Sequence, residues 1–216
     1  MRIYLAAIMS IGLLFSIAGP SQAAVSFSLG GAPAGDGSGL KSNYSWAHIE
    51  DFSSGMPSNY SGDGQVVNGT AAGLYTAPPG DSTDYLSVPD PSGRTTRTLT
   101  IDASAGYNYF GLYWGSIDDY NSIQFYANNN VVATYWGDDI FNPANGNQTA
   151  NGAAYVNFDF DGNDFYDKIE LSSSGYAFES DNHAFLDLPA PAATLAIFGL
   201  GLFGMWFGIR RRQKNT

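Results

Sequence analysis

Between residues 44 and 188, apolar side chains recur at every second position in short segments punctuated by Gly, Asn, Asp, Pro and Ser. Successive side chains of a strand point to opposite faces, so such a segment buries one face and leaves the other for solvent. Thr96 to Asp102 places Arg97, Leu99 and Ile101 on one face, with threonines and Asp102 on the other. Tyr107 to Trp114 sets Phe110, Leu112 and Trp114 against Tyr109 and Tyr113. In Ala154–Phe160 the residues Val156, Phe158 and Phe160 face in, while Tyr155, Asn157 and Asp159 face out. Asn121–Ala127 and Val131–Trp136 flank Asn128-Asn129-Asn130, and Asn tolerates positive φ, which predicts a hairpin. Further strands are expected at Lys168–Ser172 and Tyr176–Leu186. No 3.6-residue apolar period appears, so soluble helices should be scarce. The fold expected is all-β: an antiparallel, jelly-roll-like β-sandwich of roughly nine to eleven strands.

Composition narrows the chemistry. The 216-residue chain has no cysteine, which excludes a disulfide scaffold, a thiol nucleophile and a zinc–thiolate site. Its 2 histidines, His48 and His183, read as isolated or satisfied side chains and not as a proton relay. All 20 acids lie between Asp36 and Asp187, against Lys41, Arg94, Arg97 and Lys168, so this stretch carries a net charge of about −16. Nucleic acid is therefore not an expected partner, because phosphates demand Lys and Arg.

Both ends are free of acids and read as targeting signals. Met1-Arg2 precedes an apolar run from Ile3 to Ile17 and then Gly19-Pro20-Ser21-Gln22-Ala23, the pattern of a secretory signal peptide cut after Ala23 or Ala24. At the other end Ala192 to Ile209 carries no charge and is followed by Arg210, Arg211, Arg212, Gln213 and Lys214. Eighteen helical residues rise about 27 Å, enough to cross a membrane core of about 30 Å. The cations behind that span would stay cytoplasmic, which places the acidic domain on the outer side. The expected organisation is a signal peptide (1–23), a Gly-rich flexible leader (24–43), the β-sandwich domain (44–188) and a C-terminal signal (189–216). That last signal contains a transmembrane helix at 192–209 and a basic cytoplasmic tail at 210–216.

Pro189-Ala190-Pro191, the Gly- and Leu-rich span and the Arg210-Arg211-Arg212 cluster together resemble the PEP-CTERM sorting signal. Ala190 stands where that family carries Glu. The resemblance implies export in an exopolysaccharide-producing Gram-negative bacterium, tethering at the inner membrane with the domain in the periplasm, and processing by the membrane protease exosortase. The mature protein would then reach the cell surface or the biofilm matrix. Tyr109 to Ser116, Asp119-Tyr120-Asn121, Phe125-Tyr126, Tyr85 to Val88 and Phe178 to Asn182 extend the likeness to the body of such surface proteins, and imply no catalytic residues.

No G-x-S-x-G, H-E-x-x-H or P-loop pattern is present. The chain therefore reads as a non-enzyme, with an exopolysaccharide-binding module as the alternative and a polysaccharide hydrolase as a remoter one. Tyr107, Tyr109, Tyr113, Tyr126, Trp136 and Tyr155 would either form a saccharide-binding sheet face or pair with one another across strands. Asp159 to Asp164 fails the EF-hand spacing and reads as a Gly-Asn hairpin turn. An up–down–up strand order would put Asp118, Asp119, Asp138 and Asp139 at one end of the sheet. There they would be either solvated loop aspartates or a calcium site, calcium being the one cofactor considered.

Overall fold

Residues 25–91, 97–162 and 164–187 are described in a computed structural model of the chain. The first half supplies short strands: β1 (Val25–Leu29), β2 (Ala32–Pro33), β3 (Leu40–Lys41), β4 (His48–Glu50), β5 (Tyr60–Gly62), β6 (Gln65–Asn68) and β7 (Asp84–Val88). Longer ones follow: β8 (Thr98–Tyr107), β9 (Tyr109–Gly115), β10 (Asn121–Ala127) and β11 (Asn130–Trp136). After the single turn α1 (Gly137–Ile140) and a 3₁₀ turn at Ala150–Gly152 come β12 (Ala154–Phe160), β13 (Tyr166–Ser173) and β14 (Phe178–Leu186).

The molecule is nearly all β, and its strand pairs are antiparallel. One sheet runs β1-β12-β9-β14-β7-β6, with β4 also on β14; a second runs β11-β10-β13-β8-β5; β2 and β3 form a small ribbon. The two large sheets pack face to face on the alternating apolar rows. Leu99, Ile101, Ile123, Phe125, Ile169 and Leu171 from the second sheet meet Phe110, Leu112, Trp114, Val156, Phe158 and Phe178 from the first. Each such side chain, fully buried, contributes about 1.5–3 kcal/mol. Trp114 stacks on Phe178 at 4.4 Å between ring centroids, which fixes β9 against β14. Asn128 and Asn129 take φ of 51° and 64° in the β10–β11 hairpin, the conformation that their short polar side chains allow.

Four sequence expectations are corrected. Tyr107 to Trp114 is not one strand: the chain crosses between sheets at Asn108, so Tyr107 ends β8 and Tyr109 begins β9. Arg97 does not share a face with Leu99. It precedes β8 at φ 51° and its guanidinium donates to the carbonyls of Ser174 and Gly175. The Asp161–Asp164 turn joins β12 to β13 across the two sheets, so it is a crossover and not a hairpin.

The largest correction concerns the expected flexible leader at 24–43. Val25–Leu29 is a sheet strand in register with β12, Phe27 opposite Phe158. Residues beyond it fold over the outer face of the first sheet, where Leu40 and Tyr44 pack on Tyr109, Tyr113, Tyr155 and Ala184. A Cβ on Gly39 would collide with the Tyr113 ring and one on Gly31 with Tyr155. These glycines thus permit close approach of backbone to aromatic rings, where the sequence suggested flexibility. No helix among the described residues is long and apolar enough to cross a membrane, and the 192–209 span lies outside them.

Candidate functional site

The outer face of the second sheet is a polar grid built by the same alternation that fills the core. Register aligns Thr134, Gln124, Glu170, Thr100 and Ser61 in one row across five strands. A neighbouring row aligns Trp136, Ser122, Ser172 and Thr98, and a third Tyr126, Lys168 and Asp102. Strands lie about 4.8 Å apart and same-face residues along a strand about 6.8 Å apart, so the polar side chains stand in regularly spaced rows.

The grid is tied together laterally. Lys168 pairs with Glu170 at 2.8 Å, and its ammonium lies 3.6 Å from the centroid of the Tyr126 ring. The Tyr126 hydroxyl donates to Glu170 Oε2 at 2.6 Å, and Thr98 bonds Ser172 at 2.8 Å. Burial alone would raise the Glu170 carboxyl, but the bonds from Lys168 and Tyr126 outweigh it and hold the group below its ordinary value. Burial and the Glu170 contact push the Tyr126 phenol up to about 12. Trp136, 51 % exposed at the β11 edge, supplies an apolar plate beside these polar groups.

A trough of ≈ 480 Å³ on this face is bordered by Thr100, Asp102, Asn129, Asp167 and Lys168. It adjoins, at Asp102 and Ser104, a second cleft of ≈ 200 Å³ that Glu50, Asn59 and Tyr107 also line. Such a surface suits a polar chain ligand with apolar patches: donors and acceptors in rows, and aromatic rings at the rim.

The tyrosines named from sequence divide between the sheets. Tyr126 and Trp136 lie on this grid, and Tyr107 at the cleft. Tyr109, Tyr113 and Tyr155 face away from the core as expected, but the folded-over N-terminal residues bury them. Their hydroxyls are taken up internally, by Asn157 Oδ1 at 2.8 Å, the Pro79 carbonyl at 2.6 Å and the Asn182 carbonyl at 3.0 Å. They are not a binding face. Sequence reasoning passed over Gln124, Lys168, Glu170 and Thr100, although their alternation with Ile123, Phe125, Ile169, Leu171 and Leu99 was the available signal.

The four loop aspartates are brought to the same end of the molecule, since Gly137 packs against the Asp118 backbone. Their carboxylates do not form one ligand set. Asp118 accepts from the Tyr120 hydroxyl at 2.7 Å, Asp138 from the Ala144 amide at 2.9 Å and Asp139 from the Trp136 amide at 2.7 Å. Asp119 is exposed, and no group of three or more metal-ligating side chains occurs among the described residues. The carboxylates of Asp118, Asp138 and Asp139 are each used within their own loop. Pro189, Ala190, Pro191, Arg210, Arg211 and Arg212 lie outside the described residues.

His48 is exposed, whereas His183 is fully buried between the Tyr60 hydroxyl and Ser180 Oγ, each at 2.9 Å. Burial pushes the His183 imidazole down to about 3, so it is a neutral core group. On the same strand Glu179 is buried with both oxygens engaged, by the Thr76 amide at 2.8 Å and the Ser116 hydroxyl at 2.6 Å. Comparison with protein-family models, with curated proteins and with solved structures finds no match.

Proposed function

We propose that this chain is a non-enzymatic, exported surface or extracellular-matrix protein, a jelly-roll-like module whose precursor is tethered by the 192–209 helix and processed by exosortase. The contrast between the two outer faces is the observation that carries the reading. One is sealed by the chain's own N-terminal residues, and the other presents a laterally bonded polar grid with Trp136 at its rim. A domain that spends its aromatic surface on one face and leaves a wide polar face open is built to display that face. The same observation favours a second reading, in which the grid retains exopolysaccharide.

Hydrolysis is the weaker use of this surface. Glu50 and Asp102 line the small cleft, but Glu50 Oε1 accepts the Phe52 amide at 3.0 Å and Asp102 Oδ1 accepts the Ser104 amide at 2.9 Å. One oxygen of each carboxylate is thus held by its own turn, and the two side chains are oriented by local turn geometry.

The test is retention of the producing bacterium's own exopolysaccharide, alongside a glycan array. Trp136→Ala should weaken retention roughly tenfold, the equivalent of about 1.4 kcal/mol for one aromatic contact, with an unchanged Tm because the ring is exposed. Binding that ignores Trp136→Ala and Glu170→Gln would remove the second reading. Polysaccharide cleavage that disappears in Glu50→Gln would overturn the non-enzymatic one.

A further inference from the structure

β1 closes one end of the first sheet, and no strand among the described residues pairs with its outer edge. Its register with β12 fixes which backbone groups are left over. Gly30 donates to the Tyr155 carbonyl at 2.9 Å, in line with the β1–β12 pairing. Hydrogen-bonded pairs alternate along an antiparallel ladder, so Ser26 and Ser28 bond β12 while Val25, Phe27 and Leu29 turn their backbone groups outward. The Val25 carbonyl takes the Tyr135 hydroxyl at 2.8 Å and keeps a second lone pair.

Edge strands are ordinarily shielded by shortness, charge, Pro or a bulge. The other edges follow that rule: β4, β5 and β6 have 3, 3 and 4 residues, and β11 bulges at Val132, which is skipped between the partners of Phe125 and Tyr126. β1 has none of these devices. It is five residues of Val-Ser-Phe-Ser-Leu, uncharged and in unbroken register. Phe27 and Leu29 lie on the core side, opposite Phe158 and Val156, yet remain 36 % and 47 % exposed.

Charge and the strand's own pattern identify what covers this edge. With a net charge of about −16 between Asp36 and Asp187, two copies repel over most of their surface, and a basic partner is drawn to the acidic faces instead. β1 carries no charge to oppose the approach of another uncharged strand. Its polarity pattern also reads the same in both directions about Phe27. Antiparallel pairing on a two-fold axis through Phe27 sets Phe27 opposite the partner's Phe27, Ser26 opposite the partner's Ser28 and Val25 opposite the partner's Leu29. The outward backbone groups of all three odd positions then meet their counterparts. We propose that β1 is a homodimerisation edge: a second copy of this chain adds its β1 antiparallel, joins the two first sheets into one and covers Phe27 and Leu29. This contact does not depend on the polysaccharide reading.

The chain has no cysteine, so single introduced thiols report the register. The experiment oxidises the full-length chain mildly in detergent and reads disulfide-linked dimer. Phe27→Cys should cross-link, because a hydrogen-bonded antiparallel pair holds its Cα atoms about 5.5 Å apart, within disulfide reach. Leu29→Cys should not, although it is the more exposed position, since its two copies would stand roughly 14 Å apart. Ser26→Cys and Ser28→Cys, both exposed and both keeping the Phe27 ring, should cross-link far better when mixed than either does alone. Adding Ser26→Lys and Ser28→Lys to Phe27→Cys sets like charges opposite one another and should lower the yield roughly tenfold or more. Where loss of the Phe27 ring weakens the edge, the mixed serine variants carry the test. The proposal is overturned if neither Phe27→Cys nor the mixture cross-links. It is equally overturned if Leu29→Cys cross-links as well as Phe27→Cys, or if the two lysines leave the yield unchanged.

Discussion

Glu179 is a carboxyl group held where water does not reach, and its protonation therefore weighs on the whole fold. Burial raises it to about 7, against bonds from Ser116 and Thr76 that pull it back down. An acid that titrates near 7 when folded and near 4.5 when unfolded holds its proton longer in the native state. Its contribution is thus fullest below the unfolded value and is lost as pH rises towards 7, by on the order of 3 kcal/mol. His183 has the opposite sign: its folded value of about 3 lies below the unfolded 6.5, so its stability is lost as pH falls below 6.5. The two oppose each other between 4.5 and 6.5, and only a comparison that keeps His183 constant separates them. The urea midpoint of wild type relative to Glu179→Gln should fall between pH 5 and 7.5, by on the order of 2–3 kcal/mol in stability. Gln can still accept from the Thr76 amide and can donate to Ser116, so the substitution preserves the local geometry. Parallel profiles for the two proteins would show that the carboxyl stays ionised in its niche.

At the scale of elements, the informative segment is the one formed by β1, β2 and β3. It covers Tyr109, Tyr113 and Tyr155, each a side chain worth about 1.5–3 kcal/mol when buried. Tyr135 on β11 also donates to the Val25 carbonyl at 2.8 Å, so β1 links the two sheets at one margin. Deleting residues 25–43 should cost several kcal/mol, about 10 °C or more in Tm, and should raise binding of a hydrophobic dye. A dispensable leader would give an unchanged Tm. Leu40→Asp, which leaves the chain intact, should move both observables the same way by a smaller amount. The β8–β9 junction makes a related point. The core row shifts from odd positions (Leu99, Ile101, Ala103) to even ones (Phe110, Leu112, Trp114) across Asn108, the change of phase that accompanies the change of sheet.

For the whole molecule, the proposed export route makes a prediction that does not depend on any ligand. Protein recovered from the native host should lack Ala192–Thr216 by intact mass, and full-length chain persisting at the surface of an exosortase-positive cell would contradict the sorting reading. A periplasmic reporter fused before Pro189 should be active, and one fused after Thr216 should report cytoplasm before cleavage. Within the domain, the residues by themselves determined the strand faces, the Asn128-Asn129 hairpin and the scarcity of helix. Those properties are local: a period of two and a tolerance for positive φ act over a few neighbouring residues. Tertiary structure alone decided which outward face meets water. Val156 and Tyr155 alternate as cleanly as Leu171 and Glu170, yet Tyr155 is covered by residues more than a hundred positions away while Glu170 borders an open grid. It likewise decided that Asp181 is buried on β14 while Asp119 of the loops stays exposed, a difference that sequence spacing had no means of showing. Burial of a face or a carboxylate depends on what folds over it, and that contact is long-range by nature.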